Sequence, residues 1–198
     1  MKIYILGASG AGTTTLGKAL SFRLRIPHFD ADSYFWLPTD PPFTTKRERK
    51  ERLRLLREDT ARSNAWILSG SICGWGDEFV DEFSLAVYLW VPSNIRMIRL
   101  YLREADRHGY EAILPGGSRH ERYREFMRRA ALYDDGAVKE PNKDMYLRSK
   151  VIHESWLKNV NCPVKRIEGD YPVEYCINRI IHWLPTPKGT SLQYNLAH

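Results

Sequence analysis

Apolar residues in this chain come in short unbroken runs, separated by stretches in which they recur every three or four positions. The first run, "KIYILG", closes on a glycine and reads as a strand. "TTTLGKALSFRL" after it has helical spacing through Leu16, Ala19, Leu20 and Leu24. "IPHFDAD" suggests a short second strand, and "TKRERKERLRLLREDTARS" a charged helix carrying Leu53, Leu55 and Leu56. "AWILSG" and "LAVYLWVP" read as buried strands, the latter stopped by Pro92. A helix is expected from Ser93 to about Arg107, then glycine-rich "HGYEAILPGGS", then an arginine-rich helix from about Arg119 to Tyr133. A polar loop around "DDGAVKEPNKD" precedes a helix near "SKVIHESWLKNV", a last strand at "CPVKRIEG" and a last helix at "PVEYCINRIIHWL". Strands alternating with helices imply an α/β fold with a parallel sheet of about five strands covered on both faces.

Composition narrows the class. A chain of 198 residues that is 43% hydrophobic can bury one sizeable core. The net charge is +6, and 20 arginines against 10 lysines lean toward phosphate ligands. Cys73, Cys162 and Cys176 are far apart, without metal-site spacing, which points to a reducing compartment and against zinc. The apolar run "LAVYLWV" is too short to cross a bilayer, and Gly7 interrupts the N-terminal run before a signal-peptide core forms. The expectation is a cytoplasmic protein without a membrane partner and without a recognised nucleic-acid module.

The chemistry concentrates in "GASGAGTTT". Gly7, Gly10 and Gly12 hold the G-x-x-x-x-G spacing of a phosphate-binding loop. Backbone N–H groups across Ser9, Gly10, Ala11, Gly12, Thr13, Thr14 and Thr15 would converge on a phosphate at a helix N-terminus. Thr14 stands where the motif's hydroxyl meets Mg²⁺. Thr13 stands where the motif has lysine, and Lys18 is over a helical turn too far along to replace it. A Rossmann site is the rival reading: the glycines fit extended forms of that fingerprint, Asp30 could be a ribose-binding acid, and Tyr146 and Lys150 form a Tyr-x-x-x-Lys pair.

Other candidates lie further along. Asp30 and Asp32, two apart at a strand end, are expected to share a face; a helix-cap or turn pair is the bland alternative. Tyr34, Phe35, Trp36 and Trp75 fall on loops that should line an acceptor, where a ring could stack on a base or simply join the core. Arg96, Arg99, Arg103 and Arg107 fall within about 80° of one another at about 100° per residue, opposite Ile95, Ile98, Leu102 and Ala105.

Taken together, "GASGAGTTTL", "DADSYFWLPTDPPFT", "WILSGSICGWGD", "RLYLREADRHG" and "IHESWL" followed by "CPVKRIEGD" resemble the adenylate-kinase-like branch of P-loop kinases. Within it the chain is similar to small kinases labelled topology-modulation-like or adenylate-kinase-like ATPases. The resemblance covers about residues 1–183. It implies a three-layer α/β/α P-loop domain over 1–184, with a small lid at about 104–120 and an acceptor-side segment at about 33–62. Residues 185–198 are expected to be a disordered tail.

The resemblance also implies ATP and Mg²⁺ as cofactors, with γ-phosphoryl transfer to a nucleoside, nucleotide or other small hydroxylated metabolite. Asp30 and Asp32 match a DxD pair, one carboxylate taking the acceptor's proton and one helping to hold Mg²⁺ through water. Gly70 matches a glycine that lets the acceptor approach, with Tyr34, Trp36 and Trp75 around it. Arg99 and Arg103 match the arginines that clamp the triphosphate, with Arg119 expected to converge on them and Arg148 a further candidate. Gly169 and Asp170 match the loop that contacts adenine. A nucleotide-binding regulator with little turnover is the alternative. His153 and Trp156 receive no role.

Overall fold

The computed structural model describes residues 1–40, 42–135 and 148–184. Five parallel strands run β1 Lys2–Gly7, β2 His28–Asp30, β3 Trp66–Ser69, β4 Leu85–Trp90 and β5 Val164–Glu168, in the order β2-β3-β1-β4-β5. The helices are α1 Thr13–Leu24, α2 Ala31–Phe35, α3 Arg49–Thr60, α4 Ser93–His108, α5 Tyr110–Ile113, α6 His120–Ala131, α7 Lys150–Leu157 and α8 Val173–Trp183. This is the α/β layering expected, and β3 between β2 and β1 departs from the Rossmann order, which pairs the first two strands directly. Tyr146 of the Rossmann-type pair, the segment 185–198 and most of the polar loop near residue 140 lie outside the described residues.

The unbroken apolar runs follow from double coverage. Alternate β1 residues point to opposite faces. Tyr4 and Leu6 join one core with Leu68, Tyr88, Leu56 of α3 and Trp156 of α7. Ile3 and Ile5 join the other with Ile67, Val87, Leu20 of α1 and Ile180 of α8. Tyr4 stacks on Phe83 at 4.8 Å, and its hydroxyl accepts from the Ile72 N–H at 3.2 Å, so the buried phenol is satisfied. Helix α1 comes close to the sheet at Gly17, where a Cβ would lie 2.5 Å from His28 Nε2.

All three cysteines are free thiols. Burial pushes the Cys73 thiol up to about 12, well above its ordinary range. At pH 8 a maleimide should therefore label Cys73 only after the protein is unfolded; stoichiometric labelling of the native protein at this position would contradict its burial.

Successive strands leave the chain on one side of β1 and then the other: β2 and β3, then β4 and β5. The reversal falls at β1, whose carboxyl end carries the glycine loop, the place where open α/β sheets bind ligands.

Candidate active site

The loop of residues 7–12 is shaped by contacts that leave no room for side chains. A Cβ on Gly7 would sit 2.5 Å from the Leu89 carbonyl oxygen, and one on Gly10, at φ +80°, 2.7 Å from that of Arg96. Gly12 differs. It N-caps α1 at φ +95°, yet a Cβ there would meet nothing within 4 Å. Glycine is needed there for its conformation, not for lack of space. Because Gly12 has no side chain to cap the helix, the first-turn N–H groups of α1 are left for an anion. Gly12→Val should weaken MgATP binding about tenfold or more, since a β-branched residue resists the left-handed region. Calorimetry showing parent affinity would remove the loop from the phosphate site.

Thr14 Oγ1 donates to Asp30 Oδ2 at 2.8 Å, joining the start of α1 to the end of β2. The other Asp30 oxygen accepts from the Asp32 N–H at 2.9 Å and caps α2. The strand-face expectation needs correcting here: α2 begins at Ala31, so Asp32 lies in a helical first turn, not on the strand. The two acids are adjacent through the cap. Gly70, at φ +93°, backs onto them: its Cβ would lie 3.1 Å from that of Ala31.

Two cations gather beside Asp32 and Phe35: Arg148, already a candidate from the sequence, and Arg52, which the sequence did not single out. Arg148 pairs with Asp32 at 2.7 Å and lies 5.4 Å from the Phe35 ring centroid. Arg52, from the charged α3, sits 3.9 Å from the same ring and 5.9 Å from that of Trp75. Tyr34 and Trp75 are core residues here, not an exposed stacking surface. Tyr34 donates its hydroxyl to Asp59 at 2.8 Å, and the Trp75 indole N–H bonds the Ser71 carbonyl. Trp36 is half-buried, edge-on to Phe35 and Phe43.

Of the α4 arginines only Arg96 is buried; Arg99 and Arg107 are exposed, as are Ile98 and Leu102 at 60% and 51%. The expected convergence of Arg99, Arg103 and Arg119 is not what the contacts give. Arg99 pairs with Asp170 at 2.5 Å, and Arg103 with Glu104 at 3.1 Å over the Phe126 ring. Arg119 is the residue before α6, its N–H bonded to the Ala112 carbonyl. Burial and the neighbouring Arg107 lower the Arg103 pKa, against the pull of Glu104. Arg99, Asp170 and Gly169 border a cavity of about 250 Å³ with Ala11, Gly12 and Thr15. The end of the glycine loop and this cavity are therefore contiguous.

Comparison with known proteins agrees with this layout. The chain matches the family described as an AAA domain over residues 3–124, and it belongs to that family. It is 46% identical over 182 residues to the uncharacterised protein YqaC of Bacillus subtilis (strain 168), covering 92% of this chain and 96% of that one. It is 30% identical over 117 residues to a shikimate kinase of Bacteroides thetaiotaomicron, covering 54% of this chain and 67% of that one. Among solved structures, shikimate kinase from Acinetobacter baumannii in complex with shikimate shares the fold, with a TM-score of 0.54 at 19% identity over 91% of this chain and 90% of that one. Among the described residues no helix is long and apolar enough to cross a membrane.

Proposed function

We propose that the protein is an ATP- and Mg²⁺-dependent kinase that moves the γ-phosphoryl group to a hydroxyl of a small molecule, a nucleoside, nucleotide or other hydroxylated metabolite. The observation that carries this reading is the Thr14–Asp30 hydrogen bond of 2.8 Å at the mouth of the glycine loop. It brings together a hydroxyl and a carboxylate, the hard oxygen donors that suit Mg²⁺, beside uncapped helix amides that suit phosphate. When bound, Mg²⁺ would neutralise charge on the phosphate oxygens.

The chain's own residues divide the remaining work. Amides of Ser9, Gly10 and Gly12 to Thr15 hold the phosphates; the Ala11 N–H, expected among them, instead bonds the Ala8 carbonyl at 3.0 Å. Asp32 takes the proton from the acceptor hydroxyl, oriented by Arg148. Gly70 leaves room for the acceptor, and Gly169 and Asp170 border the base. Residues 104–120 would act as a lid and 33–62 as the acceptor-side segment. Arg52 against Phe35, in addition to Arg148 paired with Asp32, favours an acceptor that itself carries an anionic group. The regulator reading draws on Thr13 in place of lysine. Calorimetry with MgATP and phosphoryl transfer to a panel of nucleosides, nucleotides and hydroxy acids separate the two. Tight MgATP binding with no transfer to any member would favour the regulator, and absence of MgATP binding would end both readings.

A further inference from the structure

Arg96 is the α4 arginine that packs beneath the glycine loop, and the phosphoryl chemistry above leaves it unused. It is fully buried in the first turn of α4. Its Nε–H donates to the Val91 carbonyl at 2.9 Å, one terminal nitrogen reaches the carbonyls of Ser9 and Ala130 at 3.4 Å each, and the other pairs with Asp134 at 2.5 Å. The ring of Tyr133 lies 5.1 Å from the guanidinium. The glycine loop rests on the same residue from above, because a Cβ on Gly10 would come within 2.7 Å of the Arg96 carbonyl oxygen and 3.1 Å of its Cβ.

Stability alone does not call for an arginine here. A buried ion pair exchanged for apolar groups of similar volume is often neutral or stabilising. A methionine would fill the volume, but it could not bind carbonyls from the glycine loop, the end of β4 and the end of α6 at once. The loop contact has a defined geometric result. In a trans peptide the carbonyl and the following N–H point in opposite directions. Holding the Ser9 carbonyl toward the buried side therefore turns the Gly10 N–H to the open side of the loop, where a phosphate would lie.

We infer that Arg96 is a positioning residue for the phosphate loop, a buried cation that fixes the Ser9–Gly10 peptide from beneath. Its ligand, a nucleoside triphosphate, rests on the function proposed above; its effect on the loop does not. With threonine at position 13, the organising cation comes from α4 and not from the loop's own sequence.

The test uses Arg96→Met combined with Asp134→Asn, which removes both charges of the ion pair together, and Arg96→Lys, which keeps the charge on a single nitrogen. Hydrogen exchange of a peptide spanning residues 7–16 should quicken about tenfold in the double variant, with exchange in β1 and β4 unchanged. MgATP affinity should fall by a similar factor, the scale of one lost preorganising contact. Arg96→Lys should fall between. Loop exchange at the parent rate in a folded double variant overturns the inference, as does a uniform quickening across the sheet, which would mean a merely structural role. If the double variant does not fold, Arg96→Lys decides: loop exchange and affinity at parent values overturn the inference. A parent protein that binds no MgATP would sink the proposed function, while the exchange comparison would still decide the role of Arg96.

Discussion

Arg103→Ala should lower phosphoryl-transfer turnover about 10³-fold, the lower end of what a transition-state arginine contributes, while MgATP affinity changes little. Lysine is absent from position 13, so a charge beside the transferred group has to come from elsewhere. Of the α4 arginines, Arg99 is held by Asp170, Arg96 is enclosed beneath the loop, and Arg107 lies against the Phe43 ring. Arg103, one turn beyond Arg99, has its side chain partly sheltered over Phe126. Sheltering matters because a charge acts more strongly where water is excluded. Its pairing with the neighbouring Glu104 is a resting contact on the same helix, which a triphosphate would outcompete. The measurement is kcat and the MgATP dissociation constant for Arg103→Ala beside Arg99→Ala. Loss of ATP affinity with kcat intact would make Arg103 a binding residue, and parent values for both would leave the missing lysine unreplaced by this helix. Thr13→Lys should be tolerated and raise basal hydrolysis.

The parts legible in the sequence are those fixed by local chemistry. Strands β1 and β4 showed as unbroken apolar runs because both faces of each are buried. Glycines 7, 10 and 12 showed because their spacing is set by one loop. Helices α2 and α5, of five and four residues, are too short to show a helical period, and α2 was hidden in what looked like the end of a strand. The orientation of α4 was unreadable for a different reason. Its inward face is chosen by carbonyls and carboxylates at Ser9, Val91, Ala130 and Asp134, spread over more than a hundred positions. Arg52 lay within a run of charges whose ordinary fate is solvent. Arg148 finds Asp32 across 116 positions, a distance at which sequence pattern carries no information.

Asp32→Asn should lower turnover by about 10² or more, the usual contribution of a positioned general base, with MgATP affinity near the parent's. The isosteric amide keeps the shape of the side chain and an oxygen for Arg148, so loss of packing does not enter. It also leaves the Asp32 N–H in place for the Asp30 cap, and with it the Thr14–Asp30 bond. Asp30→Asn acts differently. It puts an amide where Thr14 donates and where Mg²⁺ would draw on a carboxylate, so its loss should appear in the Mg²⁺ concentration needed for half-maximal turnover. The two variants thus separate base from metal support. A fall in kcat for Asp32→Asn at unchanged Mg²⁺ dependence, against a shifted Mg²⁺ dependence for Asp30→Asn, is the expected pattern. If Asp32→Asn turns over at the parent rate, the pair returns to capping α2, and the proton must leave the acceptor by another route.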